Sequence, residues 1–324
     1  MYSLQELISM SERELSLISY PPRPAGLYEP IRYALAEGGK RIRPALVMMA
    51  CNLFTETVTV AKPAALAVEL FHNFTLLHDD IMDNADTRRG KPSVHKKWGA
   101  NTAILSGDAL LICAYKQLAR CEERVLPKLV EVFNETALGV CEGQQYDMDF
   151  ETRNDVTVDE YLKMIELKTA VLLAGALKLG AICGGGDEIE TDLLYKYGIN
   201  VGLAFQLQDD LLDTYADPEV FGKPIGGDIL EGKKTYLLTN AMNRADDPTR
   251  LRLQQLIADK TMDPAEKIVQ VRAIYDSLGI RELTEQAIKT YFDKAYLVLD
   301  AMEVAPERLK PLRTLTEGLQ GRRK

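Results

Sequence analysis

The chain is predicted to be all-α, and three observations carry that prediction. Mostly apolar residues recur at three- and four-residue steps, as in Leu66, Leu70, Phe74, Leu77 and Ile81 and again in Leu194, Tyr197, Val201, Ala204, Gln208 and Leu211, which is the period of a helix with one buried face. Alternating apolar and polar runs are scarce, and no Asn-Gly or Asp-Gly pair joins two such runs into a hairpin. Proline and glycine fall mostly in short stretches, at 20–30, 90–92, 184–186 and 218–232, where they punctuate helices.

The elements follow in order. Residues 1–17 set Glu6, Glu12 and Glu14 among leucines, which suits a surface helix and not a cleavable signal. Gly38-Gly39-Lys40-Arg41-Ile42-Arg43-Pro44 marks a helix start. Residues 64–81 and 170–182 are apolar enough to be buried all round, as central helices of a large bundle are. No apolar run is read as reaching the roughly 20 residues that a bilayer span needs. No repeat, low-complexity stretch or long linker divides the chain, so one domain over residues 1–324 is the simplest organisation.

Composition narrows the function. A hydrophobic fraction of 46% allows a sizeable core, and a formal charge of -9 argues against general nucleic-acid binding or attraction to an anionic membrane. Five cysteines, at 51, 113, 121, 141 and 183, form no Cys-x-x-Cys pair, so no zinc site is expected and buried thiols in a reducing compartment are. A soluble cytoplasmic protein follows, without stable membrane insertion. Excess apolar surface on outer helices would suit a homodimer.

Two acidic clusters of one pattern carry the chemistry: Asp79-Asp80-Ile81-Met82-Asp83 and Asp209-Asp210-Leu211-Leu212-Asp213. Residues three and four apart share a helix face, so in each cluster the last aspartate lines up with the first two. Crowded carboxylates at a buried edge call for cations, and hard oxygen ligands favour magnesium or calcium. Together the clusters read as two walls of one magnesium–diphosphate site. Gln206, Asp209, Asp210 and Asp213 form a polar stripe at i, i+3, i+4 and i+7 on an otherwise apolar helix, and an inward polar stripe demands a ligand.

Cations lie beside both clusters. Lys40, Arg41 and Arg43 follow two glycines at a helix start, an arrangement that suits an anion but equally a solvated loop. Arg88-Arg89-Gly90 follows the first acids, and two adjacent arginine forks fit two phosphates better than the alternative, a salt bridge to the neighbouring aspartates. Lys223, Lys233 and Lys234 lie among glycines after the second cluster and suit a closing lid. Of three histidines, His72 stands two helical turns before Asp79 and within reach of a phosphate.

Two near-motifs fail. Gly227 to Lys233 imitates a nucleotide phosphate loop, but Lys234 stands where Ser or Thr should bind magnesium and no strand precedes it. Asp147, Asp149 and Glu151 resemble the start of a calcium loop, but Thr152 replaces the glycine of the turn, so a helix surface is expected.

With these residues in view, the chain resembles the trans-isoprenyl diphosphate synthases, head-to-tail prenyltransferases, from about Gly38 to Thr235. The motifs are Gly38 to Pro44, His72, the first aspartate cluster with Arg88-Arg89-Gly90, Lys168-Thr169, and Phe205-Gln206-Leu207-Gln208-Asp209-Asp210-Leu211-Leu212-Asp213. The resemblance implies an all-α bundle around a central cavity, usually dimeric, with magnesium, three ions per site. By it, Asp79, Asp83 and Asp209 are metal ligands, and Asp80, Asp210 and Asp213 complete the catalytic motifs. Lys40, Arg43, His72 and Arg89 would hold the diphosphate of isopentenyl diphosphate. Arg88, Lys168, Thr169, Gln206, Lys223 and Lys233 would surround the allylic diphosphate.

Product length should follow the depth of the cavity beneath the first motif. In the family the residues four and five positions before the first aspartate, here Thr75 and Phe74, help set its floor, and Phe71 can modify it. A single Phe74 resembles the geranylgeranyl synthases, so a twenty-carbon product is expected and farnesyl diphosphate is the alternative. A class I terpene cyclase needs no second diphosphate pocket, and a noncatalytic partner subunit tends to lose aspartates that this chain keeps. The basic residues Arg322-Arg323-Lys324 would either close over the site or stay disordered.

Overall fold

Helix α1 (Leu4–Ser16) begins at a capping box, in which the Ser3 hydroxyl accepts from the Glu6 N–H and the Glu6 carboxylate accepts from the Ser3 N–H. Further helices follow through the chain in a computed structural model that describes residues 1–216 and 225–322. Among the described residues the all-α prediction is met, apart from one hairpin of two two-residue strands. Contacts group the chain into two units. One holds Met1–Ala137, Gly175–Tyr195 and Met302–Leu312; the other holds Leu138–Ala174, Lys196–Ala301 and Arg313–Lys324.

The first unit is built on α2 (Ala25–Ala36), α3 (Ile42–Phe54), α4 (Lys62–Met82) and α6 (Ala100–Leu118). Every residue of α3 from Pro44 to Leu53 is buried, so this helix is covered on all sides. Helix α4 packs along α6 and α3. On α9 (Val171–Gly184), Gly180 and Gly184 lie against α3, where a Cβ would stand 1.9 Å from the Val47 carbonyl oxygen and 2.6 Å from that of Cys51. Only glycine allows that approach.

After α4 the chain turns in a hairpin that pairs Thr87–Arg88 with Lys91–Pro92. Its two central residues, Arg89 and Gly90, have φ of 52° and 77°, the left-handed pair that matches strand twist in a two-residue turn. Asn-Gly and Asp-Gly are the common pairs for such a turn, and here arginine takes the first place.

The second unit has two apolar clusters. One gathers Phe150, Tyr161, Ile165, Leu207, Tyr236 and Phe292; the other centres on Leu237, Leu253, Val271, Tyr275 and Ile280. Helix α8 (Val158–Ile165) runs into a π turn at Glu166–Ala170 before α9 starts. Helix α10 (Glu188–Tyr215) meets this segment through Gly198 and Gly202, where a Cβ would lie 2.5 Å from the Cα atoms of Ala174 and Ala170. Helix α7 (Leu126–Thr152) meets it through Gly143, where a Cβ would stand 2.2 Å from the Lys168 nitrogen.

Residues Val158–Gly184 correct the reading that no apolar run is long enough to span a bilayer. By length and composition this stretch passes, and 67% of its most apolar window is buried inside the protein. It is the core helical run of the fold, which is why it is so apolar.

Candidate active site

In the first unit, the glycines of Gly38-Gly39 have φ of 75° and 140°, and Arg41 caps α3 with φ 47°. This bent backbone sends Arg41 inward, where its guanidinium donates to Glu69 at 2.5 Å and to the Leu35 carbonyl at 2.6 Å. Both members of the pair are almost fully covered, and Asn73 donates to the same Glu69 oxygen at 3.2 Å. Arg41 is therefore a structural cation. Lys40 points to solvent.

Arg43 and His72 meet, with Arg43 Nη1 3.2 Å from His72 Nε2. A guanidinium only donates, so Nε2 accepts and the imidazole proton sits on Nδ1. Burial, and then Arg43, Arg89, Arg88 and Arg41, hold His72 well below its ordinary pKa, so it is neutral. Burial also lowers Arg43 and Arg89, the neighbouring guanidinium groups adding to the effect. The Arg43 Nε is buried without a hydrogen-bond partner. Arg89 donates to the Gly38 carbonyl from its hairpin position, and a side chain at Gly39 would stand 2.9 Å from its Nη2. This cluster carries more positive than negative charge and fits an anion.

The first acids divide in role. Asp80 is 3% exposed and accepts from Arg88 Nε at 2.9 Å and Nη2 at 2.5 Å. The salt bridge to a neighbouring aspartate, ranked second in the sequence, is thus what Arg88 makes. Asp79 is half-buried, and Asp83 is exposed at the end of α4. Phe71 packs edge-on against Phe133 at 5.5 Å and lies 5.6 Å from Phe74, whose ring meets His78 at 4.7 Å. His78 sits over Gly107 of α6, where a Cβ would be 2.3 Å from its Nε2. The Thr75 hydroxyl donates to the His72 carbonyl at 2.8 Å and so turns back on its own helix.

In the second unit a cavity of about 120 Å³ is lined by Asp147, Tyr161, Lys168, Thr169, Gln206, Asp210, Asp228, Lys233 and Lys234 among others. Lys168, presented by the π turn, donates to Asp147 at 2.5 Å. Such turns recur at functional sites because they push a side chain off the regular helical path. Gln206 accepts from the Thr169 hydroxyl and donates to Asp210, both at 3.3 Å. The other Asp210 oxygen accepts from the buried Tyr161 hydroxyl and from the Tyr236 N–H at 3.2 Å.

Charge here has the opposite sign. Burial pushes Asp210 up to about 6 despite its three donors, and burial with Asp210 and Asp213 pushes Asp228 up to about 7. Burial raises Asp213 too, although it accepts from the Asp228 N–H at 3.0 Å. Lys233 is 3.9 Å from Asp228 and 3.2 Å from Glu231. Asp209 does not line this cavity and is paired with Arg322 at 2.5 Å. Lys223, Arg323 and Lys324 lie outside the described residues.

Residues 24–275 match the polyprenyl synthetase family. The chain belongs to that family. It is 48% identical over 225 residues, 68% of this chain and 69% of the other, to a geranylgeranyl diphosphate synthase of Methanosarcina mazei. It is 39% identical over 291 residues, 89% and 85% of the two chains, to a short chain isoprenyl diphosphate synthase of Methanothermobacter thermautotrophicus. A crystal structure of a geranylgeranyl pyrophosphate synthase superposes with a TM-score of 0.95 at 47% identity, covering 100% of both chains. This polyprenyl synthetase is a prenyltransferase.

The synthetase holds further functional candidates that local sequence pattern does not mark. Glu69 and Asn73 are a polar pair inside an apolar helix, and nothing local marks them as the anchor of Arg41. Asp147 was assigned to a helix surface; that holds for the exposed Asp149 and Glu151 but not for Asp147, which faces Lys168. Tyr161 and Asp228 carried no local signal, because their partners are distant in sequence. Among the described residues no three His, Cys, Asp or Glu side chains already gather as a metal cage. The carboxylates nonetheless suit a hard divalent cation: burial raises Asp210 and Asp213, and burial with neighbouring carboxylates raises Asp228, so all three resist ionisation until positive charge arrives.

Proposed function

We propose that this prenyltransferase condenses isopentenyl diphosphate with allylic diphosphates to make geranylgeranyl diphosphate. The observation that carries the reading is the pairing of each aspartate-rich segment with its own cations: Arg43, Arg88 and Arg89 beside the first, Lys168 and Lys233 beside the second. A cyclase has no use for two diphosphate-binding sets.

Arg43, with its unpartnered Nε, and Arg89 bind the diphosphate of isopentenyl diphosphate, with Lys40 closing from solvent. Neutral His72 adds an Nδ1–H donor without further charge. Lys168, Thr169, Gln206 and Lys233 bind the allylic diphosphate, with Arg88 contributing beside Asp80. Asp79, Asp83 and Asp209 would hold the magnesium, three ions by the family resemblance, which when bound would supply electrostatic stabilisation of the departing diphosphate. The lysines add fixed positive charge at the same leaving group. Asp80 and Asp210 act one step back, Asp80 by orienting Arg88 and Asp210 by fixing Gln206, Tyr161 and the Tyr236 N–H. The double bond of isopentenyl diphosphate takes up the allylic cation, and the proton lost afterwards goes to the released diphosphate. Exclusion of water protects the cation from hydrolysis.

Phe74, backed by Phe71 and His78, forms the floor that stops growth at twenty carbons. The enzyme works as a cytoplasmic homodimer: all five cysteines are free, and α6 exposes Ile104, Leu105 and Ile112, a row that a second copy would cover.

The test is to incubate the enzyme with magnesium, isopentenyl diphosphate and dimethylallyl, geranyl or farnesyl diphosphate, and to size the products by mass spectrometry. A twenty-carbon diphosphate is expected, with longer products from Phe74→Ala. A fifteen-carbon stop would move the floor above Phe74. A hydrocarbon without elongation would make the enzyme a cyclase.

A further inference from the structure

The segment after the helix Pro306–Gln320 is docked on α10 at three points. Arg322 Nη1 donates to Asp209 Oδ1 at 2.5 Å, its guanidinium stands 5.0 Å from the centre of the Phe205 ring, and its carbonyl accepts from Gln208 Nε2 at 3.1 Å. Phe205, Gln208 and Asp209 are spaced i, i+3 and i+4 and so share one side of the helix. Further along, the Tyr197 and Thr316 hydroxyls are hydrogen-bonded at 2.7 Å and tie the same two helices together. The Arg322 and Asp209 side chains are only 18% and 34% exposed, with the aromatic ring shielding the guanidinium. This is a seated cation with three separate contacts.

We propose that Arg322 is a built-in counter-ion for Asp209 in the metal-free enzyme, and that a divalent cation must displace it to bind there. The inference rests on Asp209 being a metal ligand, as proposed above. A guanidinium and a divalent cation compete for the same carboxylate oxygens and repel each other at that distance. In the first segment the arginine partner is taken by the inner acid, Asp80; in the second it is taken by the outer acid, Asp209. The second pairing stands in the way of a ligand. Cation loading is therefore gated there, and the affinity seen from outside is the intrinsic affinity reduced by the fraction of enzyme in which Arg322 has left. Once released, the guanidinium is free to face the diphosphate that accompanies the metal.

The test uses the full chain and Mn2+ as the probe, titrated without substrate while free Mn2+ is read by electron paramagnetic resonance. Arg322→Gln is expected to bind Mn2+ about fivefold more tightly than the unaltered enzyme, the scale of a partly shielded ion pair reinforced by an aromatic face. Arg322→Lys, which keeps the charge but loses the fork and the stacking, is expected to lie between them. Thermal melting checks that the variants fold. Equal or weaker Mn2+ binding by Arg322→Gln overturns the inference while leaving Asp209 as a ligand. Absence of Mn2+ binding by both proteins overturns the ligand assignment and the inference with it.

Discussion

The two aspartate-rich segments are near copies in sequence, yet their surroundings have opposite electrical character. Around the first, four arginines crowd a neutral histidine, and burial lowers His72, Arg43 and Arg89. Around the second, burial and mutual repulsion raise Asp210, Asp213 and Asp228. One set is short of anions and the other short of cations. In both, the middle aspartate is spent inside the protein, Asp80 on Arg88 and Asp210 on Tyr161, Gln206 and the Tyr236 N–H. A motif therefore fixes which positions are acidic, while the residues packed around it decide what each acid does.

The sharpest way to break this contrast is to separate outer from middle acids. Asp79→Ala and Asp209→Ala should each lower kcat by about 10³-fold, the scale of losing a principal electrostatic contact to the leaving group. Asp210→Asn should instead leave Mn2+ affinity within about twofold and show itself as lost stability, because it disturbs buried donors. Mn2+ titration with thermal melting distinguishes them, and a loss of Mn2+ binding in Asp210→Asn would erase the distinction.

Next in size is the anchor of the cationic side. Glu69→Gln leaves Arg41 buried without its counter-charge and should cost about 3 kcal/mol, read from urea unfolding. An unchanged midpoint would mean that Arg41 is satisfied by the Leu35 carbonyl alone.

On the acidic side, Gly143→Ala should push the π turn away and carry Lys168 with it. The expected result is a rise of about tenfold in KM for the allylic diphosphate, since precise placement of one cation is lost, with KM for isopentenyl diphosphate unchanged. Gly180→Ala is the control, a comparable clash against Val47 that should lower stability without that selective change.

The last effect concerns pH. Folded Asp228 titrates near 7 and the unfolded residue near its ordinary 3.8, so between those values the folded protein keeps a proton that the unfolded chain has released. Stability of the metal-free enzyme should thus fall as pH rises from about 4 to about 7. Asp228→Asn should flatten that slope and gain ~2 kcal/mol at pH 7.5. A slope equal to that of the unaltered enzyme would show that Asp228 does not sense the burial.

Much of this was legible in the sequence, and for a physical reason. Helical periodicity reports burial of one face, so α4 and α10 could be read from their leucines. The clusters at 79–83 and 209–213 could be read because spacing on one helix is local. Arg88 was read less well: its choice between a phosphate and Asp80 depends on a turn whose central arginine adopts a left-handed backbone, a conformation its side chain does not favour. Tyr161, Asp228, Arg322 and the role of Gly143 depend on contacts 15 to 114 residues distant. No periodicity reports those. The glycines were visible, but whether a glycine serves a turn or a near-contact between helices is decided only by the neighbour it admits.

The π turn at Glu166–Ala170 has one more consequence. It holds one residue more than an α-helical turn, so everything after it is rotated by about 100° relative to an uninterrupted helix. Upstream, Tyr161 is set for Asp210; downstream, Ala170 and Ala174 are set for Gly202 and Gly198. The two orientations agree only because the extra residue is there. Removing a single residue from this stretch would yield a better helix and a mis-phased one, which makes 166–170 the place where the protein should tolerate substitution far more readily than a change of length.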